Sequence, residues 1–414
     1  MKTKIHSLGS SGEGVGTLDN GMKVFVEGAL VNEEIEFTLT SEKKTYAKGK
    51  LEYIIQPSAQ RVKPICPLFG TCGGCHIMHL EYSAQLEIKR QRIIDAFERI
   101  GKIKHPVAAT LASPMPLHYR NKIQLPQSDG KIGLYKKRSH EIIDVPKCYI
   151  HCEPGEQIYH WIRKHLNSKS LRTLYLRSAV FNEESVVTLI TDGLENLSSF
   201  AEKLMAKFPR IVGVVENINR EKTNVLLGKT FHTLAGRSHL FEKIGGKTFK
   251  ISPTSFFQVN PWQAEVLFKK AIEMANITKS DHVLDPYTGV GTLALFASDH
   301  AKCVTGIECI HEAIENAKEN AALNGATNCN FKVGHAQAQK ADITLLNPPR
   351  KGCEASLLQQ IHSKKIIYIS CDPATLARDC ALLKNYTIKT IQPIDLFPQT
   401  MHVETIVELH LKTL

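Results

Sequence analysis

The chain lacks any apolar run approaching the length of a membrane span, and its amino terminus, MKTKIHSLGSSGEG, lacks the apolar stretch of a secretory leader. These absences argue against a helical membrane protein and make the cytoplasm the expected compartment. No internal repeat or low-complexity tract occurs, which excludes a solenoid. The G-x-G-x-x-G fingerprint is also missing, so a dinucleotide pyrophosphate is not implied. Without a leader, the 11 cysteines do not read as a disulfide framework and point to metal binding or thiolate chemistry.

What is present divides by charge and pattern. The 414 residues carry a net charge of +11 and are too many for one ordinary core, so two or three domains are expected. The excess is local: residues 1–56 hold 7 Lys and Arg against 8 Asp and Glu, whereas residues 57–150 hold 15 against 7. A concentrated basic surface is the electrostatic footprint of a polyanion partner such as RNA.

Residues 1–56 read as short strands, Lys23 to Val26, Glu34 to Leu39 and Ala47 to Ile55, separated by glycine turns. That pattern in about 50 residues suggests a small OB-like β-barrel. Next come Cys66, Cys72 and Cys75, with Gly73 and Gly74 between the last two. Tight glycine turns let such thiols point at one centre, and a fourth ligand is sought at Cys148 or Cys152. Four thiolates suit zinc or an iron-sulfur cluster, and spacing does not separate the two. Leu80 to Ile100 has apolar residues at helical spacing (Leu86, Ile93, Ile94, Phe97) and reads as one long helix exposing Lys89, Arg90 and Arg92. Residues 105–245 mix strands and a helix, with nothing that looks catalytic.

From about residue 246, strands and helices alternate, which predicts a doubly wound parallel sheet with helices on both faces. The first turn, Asp285 to Gly291, is glycine-rich, and Glu308 ends the second strand 23 residues later, where a carboxylate grips ribose hydroxyls. Together they suit S-adenosylmethionine, whose adenosine needs that grip and whose methionine part has no phosphate. Ile366 to Ile369 reads as a buried strand and Pro373 as the opening of a helix, so Cys371 falls at the strand's carboxyl end, where open α/β sheets bind ligands. A free cysteine is often only a small buried hydrophobe, so the position matters through its company.

That company is ordered: Ser252 to Gln263, Asp285 to Gly291, Asn347-Pro-Pro-Arg-Lys-Gly352, Ser370-Cys-Asp-Pro373, and Asp395 to Glu404. With these motifs the chain resembles the RNA uracil-C5-methyltransferase family, most closely the 23S rRNA (uracil-5-)-methyltransferases of RumA type, over nearly its whole length. The resemblance implies a Rossmann-like S-adenosylmethionine-dependent methyltransferase domain over 246–414. It also implies a TRAM-like barrel over 1–56 and an RNA-binding α+β region over 57–245 with a [4Fe-4S] cluster on Cys66, Cys72, Cys75 and Cys148. On the same pattern Cys371 is the nucleophile and Glu404 the base. Gln258, Tyr287, Thr292, Glu308, His335 and Asn347 fall at cofactor positions, with Asn347 nearest the substrate. Two residues depart from the family: Asn347 stands where Asp is usual, and His335 where Asp or Asn is usual. The implied partner is RNA, 23S rRNA first and tRNA second, acted on by a monomer with no membrane association. Two other readings compete. Asn-Pro-Pro marks enzymes that methylate exocyclic nitrogens, but those carry an aromatic where Arg350 stands. A non-catalytic RNA-binding scaffold would have no use for both Cys371 and Glu404.

Overall fold

The computed structural model describes residues 1–128, 130–221 and 225–412. Six strands of the first 56 residues form one sheet in the order Lys2–Lys4, Glu34–Glu42, Tyr46–Gln56, Lys23–Glu27, Gly14–Thr17, Ser7–Leu8. Thr3 and Thr17 close it, Thr3 Oγ1 donating to the Thr17 carbonyl at 3.0 Å and accepting from its N–H at 3.2 Å. The interior is Ile5, Val24, Val26, Ile35 and Phe37. Gly49 is needed there, because a Cβ would lie 2.5 Å from the Phe37 ring.

A second sheet of seven strands runs from Lys122–Ser128 to Thr230–Gly236, with the helices Glu153–His165 and Ser198–Lys207 packed on it through Ile158, Tyr159, Ile162, Ala201 and Leu204. The third sheet has the order Cys329–Val333, Cys303–Glu308, His282–Asp285, Ile343–Leu346, Lys365–Ser370, Glu404–Leu411, Tyr386–Ile394. Ile366, Ile367, Tyr368 and Ile369 are all fully buried, as a central strand covered on both faces requires. Helix Pro261–Ala275 covers one face of this sheet, and Ala355–Gln360 and Pro373–Leu382 cover the other.

Three expectations need correction. The sheet is not parallel throughout: Glu404–Leu411 runs antiparallel to Lys365–Ser370 and to Tyr386–Ile394, because the chain ends in a hairpin rather than another crossover. The long helix is not uniform either. It is α-helical over Tyr82–Ala96 and continues as a π-helical turn over Phe97–Gly101, ending at Lys102 in the left-handed region (φ 55°). Its apolar side, Ile93, Ala96 and Phe97, joins Tyr368, Leu376 and Ala377 in the core against the third sheet. Finally, Lys89 is fully buried rather than exposed, because Asp395 waits for it on the far side of that contact. Arg90 and Arg92 are half-buried. Among the described residues no helix is long and apolar enough to cross a membrane.

Candidate active site

Parallel strands all end at one edge of a sheet, so the residues that follow them are gathered there without being neighbours in sequence. Asp285 ends His282–Asp285 and Glu308 ends Cys303–Glu308. Asn347 follows Ile343–Leu346, and Cys371 follows Lys365–Ser370. Cys371 is fixed from both sides. Ser370 Oγ accepts from the Asp372 N–H at 3.2 Å, and Asp372 caps the next helix by accepting from the Thr375 N–H at 2.8 Å. Pro373 then supplies the first helical residue, where its missing N–H costs nothing.

Glu404 reaches the same edge by the opposite route. It begins its strand, and the last registered pair, Ser370 with Thr405, leaves Cys371 and Glu404 just beyond it, close enough that the Glu404 charge acts on the Cys371 thiol. A cavity of about 470 Å³ opens there, and Gln258, Tyr287, Thr292, Glu308, Asn347, Cys371 and Glu404 all line it. His335 does not. It is exposed, one residue beyond Gly334, whose N–H donates to the Glu308 carbonyl at 2.9 Å. Phe256, Arg350 and His402 also line the cavity, although sequence reasoning assigns none of them a role at the site. Each lies inside a motif already noted, and Phe256 is 75% exposed, an aromatic ring left in solvent at the cavity's rim.

Burial dominates the electrostatics. It pushes Glu404 up to about 7, with Arg350 pulling the other way. Cys371 rises to about 11, first from burial and then from the Glu404 charge, again opposed by Arg350. His402 falls to about 4 through burial, the His76 ring and the Arg350 charge, which keeps it neutral near pH 7. The site therefore holds a carboxyl that ionises near neutrality, beside a thiol whose thiolate is disfavoured until something positive or polar stabilises it.

The part near Glu308 fits an adenosyl cofactor. Glu308 is half-buried and lines the cavity, while Gly289 and Gly291 take φ of 53° and 84°, the left-handed region that favours glycine. No atom lies within 4 Å of where a side chain on Gly289 would begin, so the turn leaves open space beside the backbone. A separate cavity of about 200 Å³ lies in the basic region and is lined by Cys66, Cys72, Cys75 and Cys148. Burial and the charges of Cys148, Cys72 and Cys66 push Cys75 far above its ordinary value, as expected of thiols converging on one space. Cys152 lies outside it, at the N-cap of Glu153–His165. Among the described residues no three His, Cys, Asp or Glu side chains are grouped tightly enough to mark a metal-ion site. The donor set lining the cavity is nonetheless all thiol, which suits a thiophilic metal centre.

Comparison with known proteins bears on the whole chain. The tRNA (uracil-5-)-methyltransferase family model matches residues 335–412, the stretch holding Asn347, Cys371 and Glu404. An uncharacterized RNA methyltransferase of Clostridium tetani is 42% identical over 97% of this chain and 94% of its own length. A second, from Halalkalibacterium halodurans, is 37% identical over 100% and 97%. The crystal structure of Pyrococcus abyssi tRNA (uracil-54, C5)-methyltransferase in complex with S-adenosyl-L-homocysteine superposes with a TM-score of 0.81 at 26% identity, covering 99% of each chain. These relatives place the chain in the RNA uracil-C5-methyltransferase family, whose reaction is the S-adenosylmethionine-dependent methylation of uridine at C5.

Proposed function

We propose that Cys371 is the nucleophile and Glu404 the base of this methylation. Gln258, Tyr287, Thr292 and Glu308 surround the cofactor, and Asn347 meets the uracil. The observation that carries the assignment is that Cys371 and Glu404, near enough for the Glu404 charge to act on the thiol, line one cavity together with Glu308.

Carbon 5 of uracil is too weak a nucleophile to react unaided, so the ring is activated first. The Cys371 thiolate adds to C6, forming an S–C6 bond and moving the C5=C6 electron pair toward C5 and O4. Arg350 favours this thiolate, since its charge and hydrogen bonding pull Cys371 down. S-adenosylmethionine, when bound, supplies the methyl group as an electrophile to C5. The Glu404 carboxylate then takes the C5 proton; the C–H pair becomes the new C5=C6 bond, and the C6–S bond breaks with its electrons returning to Cys371. Asn347 offers a carbonyl oxygen to uracil N3–H and an amide N–H to O4, where negative charge gathers during thiolate addition. A uridine inside folded RNA must be extruded to reach this depth, and the exposed Phe256 ring gives an unstacked base a face to rest on.

RNA containing 5-fluorouridine tests the assignment, because fluorine cannot leave as a proton does. With cofactor present, the protein is expected to form a denaturation-resistant adduct. An adduct undiminished in Cys371→Ala contradicts the nucleophile.

The target we assign is 23S rRNA, on the resemblance of the motifs and of the thiol cluster. The Pyrococcus abyssi relative, which acts on tRNA, favours the second reading. Mapping 5-methyluridine in both RNAs from cells lacking this protein separates them: loss confined to rRNA is expected, and loss confined to tRNA reverses the order.

We also propose that Cys66, Cys72, Cys75 and Cys148 hold a [4Fe-4S] cluster that fixes the basic 57–150 region for RNA contact, supported by the cavity they line together. Anaerobically purified protein is expected to contain about four iron and four sulfide per chain. Cys148→Ser should lose them and Cys152→Ser keep them. One zinc and no iron contradicts the cluster.

A further inference from the structure

The helix Tyr82–Ala96 carries a polar seam that neither the cavity nor the thiol site uses. Tyr82, Gln85, Lys89 and Arg92 recur at spacings of three and four, which places them along one side of the helix. All four are bonded to the segment 395–401. Tyr82 Oη donates to Asp395 Oδ2 at 2.8 Å. Gln85 and Gln399 exchange two bonds, Gln85 Nε2 to Gln399 Oε1 at 3.0 Å and Gln399 N–H to Gln85 Oε1 at 3.1 Å. Lys89 Nζ donates to Asp395 Oδ1 and, at 3.0 Å, to the Phe397 carbonyl, and Arg92 Nη1 donates to the Met401 carbonyl. From other directions Tyr119 Oη donates to the Pro398 carbonyl at 3.1 Å and Asn260 Nδ2 to the Leu396 carbonyl at 3.1 Å. The Met401 N–H donates to His76 Nδ1 at 3.1 Å.

At the centre of this clamp both side chains of the Lys89–Asp395 pair are 0% exposed. Desolvating two charges costs several kcal/mol each, and well-packed apolar residues of the same volume commonly serve stability as well or better. Stability is thus a weak reason for a lysine at that depth, whereas a unique register for the partner segment is a strong one. That segment leads directly into Glu404. Burial and Arg350 account for the Glu404 environment, and among the described residues none donates a hydrogen bond to its carboxylate. Its aim is therefore set by the main chain on either side. Catalytic groups must be held to within about 0.5 Å; the strand ladder, with Glu404 paired to Ile394, fixes one side of this one, and residues 395–403 fix the other.

We propose that Lys89 is a positioning residue for the proton-removal step: paired with Asp395, it locks residues 395–403 in the register that aims Glu404 at C5 of the bound uracil. The inference rests on Glu404 being the base. A displaced Glu404 leaves thiolate addition and methyl transfer intact. It slows only the transfer of the C5 proton and the C6–S cleavage coupled to it, so the methylated adduct accumulates on ordinary RNA.

The test compares Lys89→Met/Asp395→Leu, which removes both charges and keeps apolar volume, with Tyr82→Phe, Glu404→Gln and the unaltered protein. Each is given uridine-containing RNA and S-adenosylmethionine. The double variant should lose roughly tenfold to a hundredfold in kcat. Its KM for the cofactor should stay within about twofold. It should also accumulate denaturation-resistant protein–RNA adduct, as Glu404→Gln does. Tyr82→Phe, which loses one bond to Asp395 and keeps the ion pair, should show the same pattern at smaller amplitude. A folded double variant that turns over without accumulating adduct overturns the assignment of Lys89, even if its rate falls with its folded fraction. Should the double variant fail to fold, Tyr82→Phe decides: full turnover with no adduct overturns the assignment. If Glu404→Gln itself accumulates nothing, the base assignment fails and the positioning role falls with it, an outcome distinct from the loss of adduct in the Lys89 variant alone.

Discussion

The pairing of Lys365–Ser370 with Glu404–Leu411 is the constraint on which the site depends. In a parallel sheet every strand ends at the same edge, so a residue that begins a strand can stand at that edge only if its strand runs backward. The terminal hairpin provides that reversal and brings Glu404 to the edge where Cys371 lies. A slip of one residue would turn every side chain of the strand to the other face. The register is held against this by the fully buried Ile366, Ile367, Tyr368 and Ile369 on one strand and Ile406 and Val407 on the other. Core packing and chemical geometry are set by the same register.

The modules that precede the methyltransferase sheet converge on the segment leading to Glu404. One small apolar cluster joins Leu30, in a loop between strands of the amino-terminal sheet, with Ile77 and Leu80 of the thiol region, Ala84 of the helix and Met401 of the segment itself. The His76 and Ile77 N–H groups both donate to the Gln399 carbonyl, at 2.9 and 3.1 Å. The thiol region and the helix therefore rest on the same segment that leads into Glu404. The electrostatics set a cost against this order. Because the folded state raises Glu404 from about 4.5 to about 7, the stability linked to its protonation is fully present below about pH 4.5 and is lost as pH rises through about 7. The ionised Glu404 carboxylate is thus the form the fold tolerates less.

Much of this was legible from residue order alone. The placement of Cys371, Asp285 and Glu308 at one edge follows from strand periodicity and the rule that parallel strands share an end; the family resemblance supplied most of the other expected site residues, and the cavity gathers seven of the eight. His335 lies outside the cavity because a position just past an edge strand has no neighbour on its outer side to draw it inward. Lys89 was read as solvent-facing because charge on an amphipathic helix usually is, and its partner lies 306 residues away, beyond any local pattern. The reversed hairpin was missed for a related reason: Tyr386–Ile394 and Glu404–Leu411 look like two more buried strands, and direction is not written in alternation. Phe256 could have been noticed as one of two adjacent aromatics, of which only Phe257 enters the core.

The measurement that bears most directly on the central claim is release of tritium from RNA carrying [5-³H]uridine, set against methyl groups incorporated by the same sample. The account predicts one tritium in water for each methyl transferred, dependent on S-adenosylmethionine and absent from Cys371→Ala. Methylation that leaves the tritium on the RNA would place the methyl group on another atom, and methyl-coupled release undiminished in Cys371→Ala would remove the thiol from the mechanism; either result would contradict it.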